Sequence, residues 1–114
     1  VKAIISYVYL FLNIVLLVFG QILFKLGIQN SGGLHLAKLL SSAYIWSGLV
    51  LYGFATVLWF IVLSRLPLSV AYPLQSLAYV LAILPAYFLF NETITLTKLA
   101  GMAVIIFGAY LIVK

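Results

Sequence analysis

Four long apolar runs, at residues 3–26, 43–64, 66–90 and 96–113, alternate with three shorter stretches where polar residues gather. A helix needs roughly 20 residues to cross a hydrocarbon core about 30 Å thick, and each run meets or approaches that length. The pattern predicts four transmembrane helices. Strands of a membrane barrel would be about ten residues long and would alternate polar with apolar positions, which these runs do not. The first run is too long for a secretory leader and lacks an obvious small-residue cleavage site. The largest link, residues 27–42, holds Gly32, Gly33, His35 and Lys38, and residues 34–40 fit a short amphipathic turn lying along the interface. Arg65-Leu66-Pro67 and residues 91–95 form tight links. Short links make consecutive helices antiparallel, so both termini are expected on one side. The expected fold is an all-α integral membrane bundle, a single four-helix domain over residues 1–114.

Composition agrees with that class. Apolar residues make up 68% of the chain and charged residues 6%, against about a quarter charged in a soluble domain. Six cations oppose one acid and are scattered, so nucleic acid is not an expected partner. The absence of cysteine excludes disulfides and thiolate metal sites. A single histidine, His35, without acidic neighbours makes no metal site, and no cofactor is expected. No set of nucleophile, base and metal ligand can be assembled, so an enzyme is not expected. Lys2, Arg65 and Lys114 fall on one side, and Lys25, Lys38 and Lys98 on the other. Orientation follows Lys/Arg asymmetry, and here the two sides balance. Insertion in both orientations as an antiparallel dimer is one reading. Residues trimmed before Val1, or a partner subunit, breaking the tie is the other.

Polar groups inside a bilayer are expensive and mark function by default. The first run carries Asn13, Gln21 and Lys25. At about 100° per residue, Asn13, Leu17, Gly20 and Phe24 share a face, with Gln21 on its border. Lys25 lies close enough to the end to snorkel, and no acid is embedded to match it. The second run has Ser47, Tyr52 and Thr56 beside Gly48 and Gly53, with Tyr44, Trp46 and Trp59 most simply read as interfacial anchors or lipid-facing bulk. The third has Tyr72, Gln75, Ser76 and Tyr79, with Pro73 and Pro85 in the span. Each proline removes a backbone donor, so a bend is expected near one of them. Asn, Gln and Ser also serve as packing glue between helices. The cluster on the third run nevertheless suits a polar cavity. The expected site lies between the first and third helices, lined by Asn13, Gln21, Tyr72, Gln75 and Ser76, with Lys25 at its mouth. In the fourth run, Gly101 and Gly108 are seven residues apart on one face with Ile105 between them. Small residues let helices approach closely, so this face is an expected interface, within the bundle or in a dimer. Asn91-Glu92-Thr93 matches the glycosylation pattern but lies too near the membrane for that use.

The segment from Leu66 to Leu77 with its Ala71-Tyr72-Pro73 core, the Asn91-Glu92-Thr93 turn and the Gly101/Gly108 pair resemble the drug/metabolite transporter superfamily. The four-helix length resembles its small multidrug resistance branch. The segment from Gly20 to Lys25 is similar to that branch's glycine-to-lysine segment. The cation exporters of that branch keep a glutamate three residues before the glycine, where this chain has Leu17, and a tryptophan where it has Gln75. The Tyr72-Pro73 pair and the Leu89-Phe90-Asn91-Glu92-Thr93 turn look more like the EamA-like subunits that flip aminoarabinose-linked undecaprenyl phosphate. The resemblance implies a small-multidrug-resistance-like bundle in a bacterial inner membrane, dimeric with itself or with a related four-helix subunit. It implies a flippase for a polyprenyl-phosphate-linked sugar. An exporter of small amphipathic or cationic compounds, and a non-transporting accessory subunit, are the alternatives.

Overall fold

The computed structural model describes residues 2–32 and 35–114. Val1, Gly33, Leu34 and the side chains of Lys2 and Ala3 lie outside the described residues, so the start of the interfacial turn and one of the cations counted for orientation are not placed. The described residues form α1 (Lys2–Asn30), α2 (Leu36–Leu40), α3 (Ala43–Arg65), α4 (Leu68–Gln75), α5 (Leu77–Leu81), α6 (Ile83–Phe88) and α7 (Leu96–Val113), and no strand. Four stretches are long and apolar enough to cross a membrane: Ile4–Asn30, Ala43–Arg65, Leu68–Phe88 and Leu96–Val113. The first helix continues four residues past Leu26 to Asn30.

The first two spans are antiparallel neighbours. Gly27 lies against Ser42 and Ile45, Gly20 against Gly48 and Tyr52, and the Arg65 guanidinium sits 5.3 Å from the Tyr9 ring centroid. Glycine permits this approach. A Cβ on Gly20 would stand 2.7 Å from the Tyr52 ring, and one on Gly48 would stand 2.7 Å from the Phe24 ring and 3.2 Å from the Gly20 carbonyl oxygen. Close helix packing through small residues is the membrane alternative to a hydrophobic driving force. Gly101 and Gly108 differ: nothing lies within 4 Å of a Cβ placed on either, so they pack against nothing inside the bundle.

The third span is broken into three helical pieces at Ser76 and Ala82. Both residues remain right-handed, with ψ of −17° and −18°, tightened towards the 3₁₀ range. Each break has a proline near it. Pro73 has no N–H to give the preceding turn, and the Ser76 hydroxyl donates to the Pro73 carbonyl at 2.5 Å. Pro85 sits in the first turn of α6, where its missing donor is tolerated, and the break falls just before it. Beyond α6, Asn91 takes a left-handed φ of 52°, and the reversed chain lets the Glu92 N–H reach the Ala86 carbonyl at 2.9 Å.

Leu10 and Ile14 of α1, Val62 of α3, Ala71 and Leu74 of α4 and Ala109 of α7 form one buried cluster. All four spans meet in this cluster, in the half of the molecule nearer Arg65. Outside it, large apolar side chains such as Phe11, Phe54, Phe60 and Phe107 are exposed. Such a surface suits lipid, since water would make it an aggregation hazard.

Candidate substrate cavity

Beyond the packed half, the spans part around a cavity of about 990 Å³. α1 contributes Asn13, Leu17 and Gln21, successive turns of one face. Pro73, Gln75, Ser76 and Ala82 line it from the broken span. Irregular backbone at membrane depth is tolerated where it borders a cavity, which is where both breaks lie. A third wall comes from α3, through Tyr52, Ala55, Thr56 and Trp59. The site is therefore not confined to the first and third spans.

Asn13 organises the deep end. It is 1% exposed, donates from Nδ2 to the Ala55 carbonyl at 2.7 Å and accepts from Gln75 Nε2 at 3.0 Å. One buried amide thus ties all three walls together. Nearer the other end, Gln21 Nε2 donates to the Tyr52 hydroxyl at 2.5 Å, and Tyr52 packs on Phe24 with ring centroids 5.2 Å apart. Trp59 and Tyr72 face each other at 6.3 Å between centroids. Tyr72 and Tyr79 are 65% and 72% exposed, so they form a rim turned towards lipid.

Of the residues expected at the site, Asn13, Gln21, Tyr72, Gln75 and Ser76 line this one cavity. Lys25 does not. It lines an adjoining chamber of about 200 Å³ together with Gln21, Ala82, Phe90 and Glu92. Its ammonium bonds the Glu92 carboxylate and lies 4.9 Å from the Phe90 ring centroid. The expectation that Lys25 has no matching acid is corrected here. Glu92 is in the link after the third span, but the left-handed turn at Asn91 returns it to the end of α1. Trp59 is also corrected, from an anchor or lipid-facing bulk to a cavity wall. Its signal was present: Tyr52, Thr56 and Trp59 recur at helical spacing on one face of α3. Leu17 lines the cavity too, so the residue that the resemblance matches to the cation exporters' glutamate is a hydrocarbon facing this space. None of the residues lining the main cavity carries a formal charge. Gly101, Ile105 and Gly108 lie on α7, away from both cavities, with Gly101 exposed and the other two half-buried.

Four membrane-length spans surround a mostly apolar cavity that carries amide and hydroxyl groups and no charge. The chain belongs to the EamA-like transporter family, whose family model matches residues 1–114. It is a multi-pass protein of the bacterial inner membrane. It is 36% identical over 120 residues to the probable 4-amino-4-deoxy-L-arabinose-phosphoundecaprenol flippase subunit ArnF of Photorhabdus laumondii, covering 94% of this chain and 95% of that protein. It is 35% identical over 95 residues to the probable flippase subunit ArnE of Pseudomonas fluorescens, covering 82% of this chain and 83% of the relative. To the ArnF subunit of Erwinia tasmaniensis it is 44% identical over 75 residues, 64% of this chain and 59% of the other. No solved structure matches.

Proposed function

We propose that this chain is one subunit of a flippase that carries a polyprenyl-phosphate-linked sugar headgroup across the inner membrane. The observation that carries this reading is the uncharged cavity built by three spans, mostly apolar but set with amide and hydroxyl groups and rimmed by exposed tyrosines. Amide and hydroxyl groups from Gln21, Tyr52, Thr56, Gln75 and Ser76 offer both donors and acceptors, which sugar hydroxyls need, while buried Asn13 holds Gln75 in place. Trp59 and Tyr72 add flat apolar faces for the ring. An opening at the tyrosine rim lets a polyprenyl tail stay in lipid while its headgroup enters. Lys25, beyond Gln21, supplies the cation for the phosphate. The names of the relatives support the substrate class.

The chain's similarity to both ArnE and ArnF, each named a subunit, supports pairing with a related four-helix chain. The partner covers the Gly101/Ile105/Gly108 face of α7, which is open where the protomer stands alone.

Vesicles holding this chain and a paired subunit test the reading. The 4-amino-4-deoxyarabinose lipid carries a free amine that a membrane-impermeant reagent labels only on the outer leaflet. Lipid loaded on the inner leaflet becomes labelled over time if the pair flips it. No gain over protein-free vesicles, beside uptake of a hydrophobic cation, contradicts the reading in favour of a small-cation exporter.

A further inference from the structure

The two cavities are consecutive. Val18, Gln21 and Ala82 line both, so the Lys25 chamber lies at the end of the main cavity away from the packed core. At that end the chain's one acid occupies the Lys25 ammonium. The two side chains are 45% and 39% exposed. An ion pair this accessible is held weakly and exchanges readily. A phosphate offers the same acceptor oxygens and negative charge as a carboxylate, with stronger charge-assisted hydrogen bonding to ammonium.

Resting on the flippase reading, we propose that Lys25 is a phosphate seat which Glu92 fills until an anionic headgroup displaces it. The exchange leaves the Lys25 cation paired before and after the headgroup arrives. It also frees the Glu92 side chain in the turn between the third and fourth spans. Glu92 is held there by Lys25 and by its own N–H bond to the Ala86 carbonyl. Loss of the carboxylate contact therefore unties the side chain while the Asn91 reversal remains. Gln21, between the two spaces and bonded to Tyr52, stands where a headgroup passes from sugar cavity to phosphate seat.

The test uses the purified chain in phosphatidylcholine nanodiscs, which supply no lipid of net negative charge. Titration calorimetry measures binding of farnesyl phosphate, with farnesol and inorganic phosphate as separate arms. Removing an exposed competing partner is expected to tighten farnesyl phosphate binding in Glu92→Gln by roughly threefold to fivefold. Lys25→Gln is expected to abolish that gain when combined with Glu92→Gln, and Lys25→Arg, which keeps the cation, to retain binding. Farnesol should be insensitive to Glu92→Gln. A parallel gain for inorganic phosphate supports the seat and assigns it to the headgroup alone. Unchanged or weaker farnesyl phosphate binding in folded Glu92→Gln overturns the displacement while leaving the flippase reading standing. Equal effects on farnesol and farnesyl phosphate overturn the phosphate seat. Absence of farnesyl phosphate binding in wild type and every variant overturns the phosphate seat, while the paired-subunit translocation assay decides the flippase reading separately.

Discussion

Gln75 donates a 3.0 Å hydrogen bond to the side-chain oxygen of Asn13, joining the broken third span to the first. Asn13 is 1% exposed and is bonded on its other side to the Ala55 carbonyl of the second span. The same contact packs the spans together and lines the cavity. Asn13→Leu removes both bonds and leaves the Gln75 amide facing an apolar side chain. Interhelical hydrogen bonds in membranes contribute about 0.6–2 kcal/mol each. Asn13→Leu is expected to lower stability by about 1–3 kcal/mol, measured by unfolding in mixed micelles. Gln75→Leu keeps the Ala55 bond and should cost less than Asn13→Leu.

The close approach of the first two spans depends on Gly48. A Cβ there would meet the Phe24 ring at 2.7 Å and the Gly20 backbone at 3.2 Å. Gly48→Ala is expected to destabilise by about 1–3 kcal/mol, the usual range for overpacking. Gly101→Ala, with nothing within 4 Å, is the control and should leave protomer stability unchanged or slightly raised. Both are read from the same micellar unfolding series. Equal effects at the two positions would contradict the packing described.

Gly108→Leu separates bundle from assembly. No neighbour meets a Cβ at Gly108, so the protomer should fold with wild-type stability. Association with a paired subunit, followed by energy transfer between labelled chains in lipid, should weaken. An unchanged association would remove the α7 face from the proposed interface.

Leu17→Glu places a carboxylate in the cavity, at the position where the cation exporters carry theirs. The variant is expected to gain weak binding of tetraphenylphosphonium, a hydrophobic cation, measured by equilibrium dialysis. Protonation discharges the carboxylate, so binding should fall as pH is lowered. Wild type should show no comparable pH-dependent binding, and neither should Leu17→Gln.

The four spans were legible because each is a long apolar run, and hydrocarbon leaves a chain few alternatives to a helix. Asn13, Gln21, Tyr72, Gln75 and Ser76 were legible for a related reason: polar groups at membrane depth need partners, and a cavity supplies them. What escaped was anything set by how the spans lean on one another. All four runs are apolar nearly all round, so periodicity alone could not say which face of the second span looks inward. An interfacial anchor or lipid-facing bulk is therefore the plain sequence reading of Trp59, although its spacing from Tyr52 and Thr56 puts all three on one face. The Lys25–Glu92 pair was hidden more deeply. It joins residues far apart in sequence and depends on the left-handed turn at Asn91, which a sequence pattern marks as a turn without saying where it points the next side chain. The open space beside the α7 glycines was equally out of reach, because seven-residue spacing is the same whether a face packs inside the bundle or against a second chain.

The central claim is that the cavity and its Lys25 end together carry a lipid-linked sugar headgroup. Amine-labelling translocation in vesicles, with a paired subunit present and each rate divided by folded protein, tests it most directly for wild type, Gln75→Leu, Lys25→Gln and Lys25→Arg. The account predicts that wild type moves the lipid, that Gln75→Leu and Lys25→Gln lose most of the rate per folded molecule, and that Lys25→Arg retains part of it. Wild-type rates in both Gln75→Leu and Lys25→Gln would contradict it.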